Sequence, residues 1–248
     1  MIDTHAHLDA CDEPADELLA RARAAGVTRV IAIGTGIESC RRALMLAERD
    51  GGVYAAVGID PHRAATGEAG RVEELTELAR HPKAVAVGET GLDYHHGAGL
   101  EAAQRRLFER QLAVAEEVGK PVVIHCRAAA DETAAMLAGF AGTVVLHCFS
   151  EPGLFPAAAE RGYYVSFAGN VTYPRSADLR ELATRVPAAR ILAETDAPYL
   201  SPQPLRGRRN EPANVVHTLS ALAAARGEDA AELERRIDAN ARTAFGLA

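Results

Sequence analysis

The chain alternates, eight times over, between a short apolar run rich in β-branched residues and a longer amphipathic stretch. That alternation restricts it to parallel strands joined by crossover helices. The apolar runs fall at about Ile2–Leu8, Thr28–Gly34, Val53–Gly58, Ala84–Glu89, Pro121–His125, Thr143–His147, Tyr163–Phe167 and Arg190–Thr195. Helical stretches occupy Glu17–Ala25, Ser39–Arg49, Arg71–Arg80, Ala102–Val118, Asp131–Gly139, Gly153–Arg161 and Ala177–Arg185, and a closing one runs from Asn214 to Phe245. Eight strand-helix units in 248 residues match the closed (β/α)8 barrel, whose usual length is about 250 residues. An open doubly wound sheet would carry a glycine-rich phosphate loop after an early strand, and neither G-x-G-x-x-G nor a Walker loop occurs. The expected fold is α/β, a single TIM-type barrel, and the absence of a linker or low-complexity segment makes residues 1–248 one domain.

Composition narrows the partners. Lys plus Arg is 27 against 34 for Asp plus Glu, a net charge of -7, which excludes coating of nucleic acid by bulk attraction. A polyanionic substrate must therefore be attracted locally. No apolar run reaches the roughly 18 residues that cross a bilayer, and Ile2-Asp3-Thr4-His5 contains no basic leader. A cytoplasmic monomer with no membrane contact and no obligate protein partner is expected. Cys11, Cys40, Cys126 and Cys148 form no C-x-x-C pair, so they read as reduced thiols, with Cys126 and Cys148 as small core residues.

The ionisable residues gather at the C-terminal ends of the strands, the rim of a barrel that carries chemistry. His5 and His7 lie two apart on the first strand, which turns both rings to one face. Glu89 ends the fourth strand, His125 the fifth and His147 the sixth, and Asp196 follows the eighth. A lone histidine there is most simply a satisfied core residue. Four imidazoles and two carboxylates together would leave too many buried polar atoms competing for partners unless a cation compensates them. Imidazole and carboxylate without thiolate suits an open catalytic site for zinc, manganese or iron. Six donors exceed what one tetrahedral ion needs, so two ions sharing a carboxylate are expected, with a single ion and spare polar ligands as the alternative. His5, His7 and Asp196 would hold one, His125 and His147 the other, and Glu89 both.

The same residues lie in Asp3-Thr4-His5-Ala6-His7-Leu8-Asp9, Gly88-Glu89-Thr90-Gly91-Leu92-Asp93-Tyr94, Pro121-Val122-Val123-Ile124-His125-Cys126-Arg127, His147-Cys148-Phe149-Ser150 and Glu194-Thr195-Asp196-Ala197-Pro198-Tyr199-Leu200. With Arg209-Asn210-Glu211-Pro212, these segments resemble, in order, the signatures of the TatD family of metal-dependent deoxyribonucleases. D-x-H-x-H alone is shared with the wider amidohydrolase superfamily, whereas the set is specific. The resemblance implies the ligand role for His5, His7, Glu89, His125, His147 and Asp196, and contacts near substrate for Asn210 and Glu211. It further implies hydrolysis of DNA, often from the 3′ end, with two magnesium, manganese or zinc ions. Glu151 stands where the family usually has glycine, and His95-His96-Gly97-Ala98-Gly99 replaces a longer, charged continuation.

The chemistry expected of such a centre is attack by a metal-activated water, with Asp196 accepting a proton and Glu89 joining the ions. His62, Arg127 and Arg209 are candidate phosphate contacts, and Asp93 and Glu194 candidate orienters of a histidine or water. Only 12 aromatic residues are Phe or Tyr and none is Trp, so a short reach into a single-stranded or frayed 3′ end fits better than a long groove. Two other readings use the same residues: an amidohydrolase-type enzyme cleaving an amide, lactone or small phosphoester, and a metal-binding scaffold without turnover.

Overall fold

The structure, a computed structural model, describes residues 1–247. Eight strands follow one another in the sheet in chain order: β1 (Ile2–Ala6), β2 (Arg29–Ile33), β3 (Val53–Val57), β4 (Ala84–Asp93), β5 (Val122–Arg127), β6 (Val144–Leu146), β7 (Tyr164–Phe167) and β8 (Ile191–Ala193). Helices α1 (Ala15–Ala24), α2 (Ile37–Arg49), α3 (Val72–Ala79), α4 (Glu101–Val118), α5 (Ala130–Leu137), α6 (Phe155–Arg161) and α7 (Ala177–Arg185) connect them, and α8 (Val215–Arg226) and α9 (Ala230–Phe245) close the chain. This is the α/β, (β/α)8 TIM-type fold that the alternation predicts. The expected closing helix is two helices, because Gly227 adopts a left-handed φ of 63° and Asp229 caps α9 by accepting from the Glu232 N–H.

The chain forms two compact units, one of residues 1–32, 147–149 and 164–248, the other of residues 33–146 and 150–163. In the first, β1 pairs in parallel with β2, and β7 with β8. The β1–β2 register slips between Asp3 and Ala6, so one extra residue of β1, in the stretch that holds His5, bulges from the ladder. In the second unit, β3, β4, β5 and β6 pair in parallel. Here the β4–β5 register slips between Val87 and Thr90, the stretch that holds Glu89.

Helix α4 shows how a helix positions a strand end. Leu107, Phe108, Leu112 and Ala115 form its buried stripe, and two glutamines share that face. Gln111 binds both peptide groups of Ile59, at 2.8 Å each, and the Thr90 hydroxyl at 2.7 Å. Gln104 accepts from the Asp93 N–H at 2.8 Å and donates to the Asp93 carbonyl at 2.9 Å. Both side chains act as surrogate peptide groups where the β3 and β4 ladders run out, which satisfies buried backbone that would otherwise be orphaned.

Candidate metal centre

In the first unit, the ligand atoms of His5, His7 and Asp196 lie within 4.8 Å of one another. His5 Nε2 is 3.1 Å from His7 Nε2, and Asp196 Oδ1 is 3.3 Å from His7 Nε2 and 3.7 Å from His5 Nε2. Ligands at about 2.0–2.2 Å from a tetrahedral ion stand about 3.3 Å apart, so this triangle fits one divalent cation. The His147 ring stacks on His5 with centroids 3.9 Å apart. Its Nδ1 faces Glu194 Oε1 at 3.3 Å, the same oxygen that accepts the Cys148 N–H at 2.6 Å. That contact engages Nδ1, so a cation held by this ring would take Nε2. The other Glu194 oxygen, buried, has no hydrogen-bond partner among the described residues.

Asp3, absent from the expected site, supports this cluster from behind. It is fully buried and accepts from the Thr195 hydroxyl at 2.6 Å, the Thr195 N–H at 2.9 Å and the His5 N–H at 3.3 Å. It thereby pins β1 to the turn that carries Asp196. Burial pushes its carboxyl up to about 7, against the lowering effect of these hydrogen bonds.

In the second unit, His125 stands between two carboxylates. Its Nδ1 is 2.8 Å from Glu89 Oε1 and its Nε2 is 3.1 Å from Asp93 Oδ2. Both neighbours accept, so hydrogen bonds at both nitrogens require a doubly protonated ring, whereas a cation at Nδ1 leaves Nε2–H for Asp93. Donor chemistry and spacing therefore fit a metal here too. Burial raises the Asp93 carboxyl, but hydrogen bonds from His125 and His96 outweigh it and hold the group below the usual carboxylate range. Asp93 thus does for His125 what Glu194 does for His147. His62 is exposed, with Nε2 3.6 Å from Asp93 Oδ2, and Arg127 is exposed at the end of β5.

Three expected substrate contacts have other partners. Arg209 is paired with Asp12 at 2.7 and 2.8 Å. Glu211 is paired with Arg21 at 2.5 Å. Buried Asn210 spends its whole amide inside the protein: Nδ2 donates to the Thr195 and Tyr199 carbonyls at 2.8 and 2.7 Å, and Oδ1 accepts from Glu211 N and Asn214 Nδ2 at 3.0 Å. Asn210 thus laces the turn after β8 together, while Arg209 and Glu211 tie that turn to Asp12 and Arg21. Cys126 and Cys148 are half-buried, not core residues, because each stands where its strand opens into a rim loop.

Backbone strain concentrates at the same ends of the strands. Ala128, Cys148, Asp196 and Leu200 are the non-glycine residues with positive φ among the described residues, at 54°, 44°, 57° and 50°.

The sequence profile of the family described as TatD related DNase matches residues 2–246. The chain belongs to the TatD family. A TatD named as a metal-dependent hydrolase, from Mycobacterium tuberculosis, is 39% identical over 260 residues, covering 100% of this chain and 98% of that one. The Klebsiella pneumoniae TatD, named a 3′-5′ ssDNA/RNA exonuclease, is 39% identical and covers 94% of this chain and 92% of its own length. Among solved structures, the TatD homologue YjjV of Escherichia coli superposes with a TM-score of 0.94 at 32% identity, over 100% of this chain and 98% of that one. Membership makes this TatD chain a metal-dependent hydrolase with candidate ligand clusters in each unit. No helix among the described residues is long and apolar enough to cross a membrane.

Proposed function

We propose that this chain removes nucleotides from the 3′ end of single-stranded or frayed nucleic acid by hydrolysing the terminal phosphodiester bond, with two divalent ions of magnesium, manganese or zinc. The observation that carries the reading is the His5–His7–Asp196 triangle with edges of 3.1, 3.3 and 3.7 Å, in a chain of a family whose relatives are named 3′-5′ exonucleases. Those names include RNA, which widens the expectation of DNA alone.

In this reading His5, His7 and Asp196 hold one ion, His125 and His147 the other, and Glu89 serves both. Bound divalent ions supply Lewis-acid polarisation of a phosphoryl oxygen and acidify water at neutral pH. The remaining work belongs to the side chains. Asp196 takes the proton that the attacking water loses; the left-handed backbone at this residue fixes where its carboxylate stands. Asp93 and Glu194 hold the His125 and His147 rings. Arg127 and His62, both exposed, meet the phosphate beside the scissile bond.

The test is incubation of the metal-analysed protein with single-stranded oligonucleotides labelled at either end, in magnesium, manganese or zinc. Progressive shortening from the 3′ end is expected. Intact DNA and RNA in every metal, with cleavage of a lactone or amide panel, would transfer the same site to a different substrate class. Intact substrates of every class would leave only the scaffold reading.

A further inference from the structure

The rim loops that follow β7 and β8 carry a charge opposite to that of the chain. Residues 168–176 and 197–210 contain Arg175, Arg206, Arg208 and Arg209 but neither Asp nor Glu, in a protein of net charge -7. Asp12 neutralises Arg209. Arg206 is exposed and forms no ion pair among the described residues; its guanidinium lies over the Tyr173 ring, 4.3 Å from the centroid. Stacking of this kind fixes the plane of a guanidinium and leaves its N–H edge for an anion. The two loops are locked together within the first unit. The Gln203 N–H donates to Thr172 Oγ1 at 2.8 Å, and a Cβ on Gly169 would lie 2.1 Å from the Leu200 carbonyl oxygen.

Tyr199, next to Leu200 in this seam, is 52% exposed, and Met45 on α2 is the other large apolar side chain so exposed among the described residues. Its ring meets His7 edge to face with centroids 5.7 Å apart. Its backbone is held on both sides: the N–H donates to the Asp196 carbonyl at 2.8 Å, and the carbonyl accepts from Asn210 Nδ2 at 2.7 Å. A fixed aromatic face, open to water beside a candidate ligand, is what a nucleobase covers when it stacks. Tyr173 also lies near the centre. Burial raises its hydroxyl above the usual tyrosine value, against Arg206, and the thiol of Cys148, which follows His147, adds to the rise. We propose that this seam is the track for nucleotides on the 5′ side of the scissile bond, with Tyr199 stacked on the first base and Arg206, set by Tyr173, on the next phosphate. Such a track rests on the exonuclease reading and extends it to the part of the strand that stays bound after each cut. Neither contact uses the 2′ position of the sugar, so DNA and RNA fit alike.

The experiment measures kcat and KM in manganese on single-stranded di-, tri- and hexanucleotides, with bound metal assayed in every protein. The variants are Tyr199→Leu, Tyr199→Phe, Arg206→Gln and, as a charge control, Arg106→Gln on the exposed side of α4. Tyr199→Leu is expected to raise KM about 5- to 100-fold at every length with a much smaller change in kcat, and Tyr199→Phe, which keeps the ring face, to restore it. The KM penalty of Arg206→Gln should grow at least about fivefold from the dinucleotide, whose one phosphate is the scissile one, to the longer strands. Its salt slope on those strands should be shallower by about 0.7, a change that Arg106→Gln does not make. Wild-type KM at every length in Tyr199→Leu and Arg206→Gln, alongside normal shortening by wild type, would overturn the track alone. Loss of bound metal from Tyr199→Leu would also overturn it, by showing that the ring acts through His7. Failure of wild type to cut or bind any strand would instead overturn the exonuclease reading, and the track with it.

Discussion

At the scale of single residues, Asp196 carries the most. It is a ligand candidate within 3.3 Å of His7 and the expected proton acceptor, and it sits at φ 57° on a turn held by its own N–H to the His5 carbonyl. Asp196→Asn keeps the shape and removes the basic oxygen. Turnover should fall about 10²–10⁴-fold with unchanged circular dichroism; a rate within tenfold of wild type would end its role as the base. The six ligand candidates were legible because each falls at or just past the C-terminal end of an apolar run in the sequence, where an ionisable side chain has few bland uses. Asp3 was not, since an aspartate inside an apolar strand gives no sign of which backbone amides it will meet.

At the scale of elements, the strand starts were read to within about a residue and the strand ends less well. β4 runs on to Asp93 because Gly91, Leu92 and Asp93 continue to pair with His125, Cys126 and Arg127. β6 and β8 stop at Leu146 and Ala193, before their ligands, and left-handed residues at Cys148 and Asp196 turn the chain out of the ladder. A pattern of apolar residues does not report the loss of ladder pairing. Gly91 leaves no room for a side chain beside β5: at φ 133° a Cβ would lie 2.0 Å from the His125 carbonyl oxygen. Gly91→Ala should therefore cost about 1–3 kcal/mol in a denaturant melt and lower metal content, because relief of the clash moves His125 away from Glu89. Unchanged stability and metal content would mean that the two strands separate freely. The turn after β8 is held differently, by the four hydrogen bonds of Asn210. Asn210→Ala leaves two carbonyls short of donors and should cost about 2–4 kcal/mol. If Asn210 instead touched substrate, KM would rise with no change in the unfolding midpoint.

At the scale of the whole molecule, the chain returns repeatedly between its two units, three segments building one and two the other, and we propose on that ground that residues 1–248 make a single domain. Its charge of -7 sets the terms on which such a protein meets a polyanion. Many of its arginines are neutralised locally: Arg21 by Glu211, Arg41 and Arg71 by Glu38 and Glu74, Arg110 by Glu73, Arg209 by Asp12. Positive charge for a strand end must come from bound cations and from the few groups beside them, Arg127 and His62 first. Two or three phosphate contacts predict a shallow salt dependence, with log K falling at a slope of about -1.4 to -2.1 against log salt for a single strand. A chelator should remove binding together with turnover, since without its ion the His5–His7–Asp196 cluster presents a carboxylate to the phosphate. Fluorescence anisotropy of a labelled oligonucleotide, titrated with salt in calcium or in EDTA, checks both. A steep slope, or undiminished affinity in EDTA, would mean that an arginine-lined groove far from the ligand clusters carries the binding, and that cations serve only the bond-breaking step.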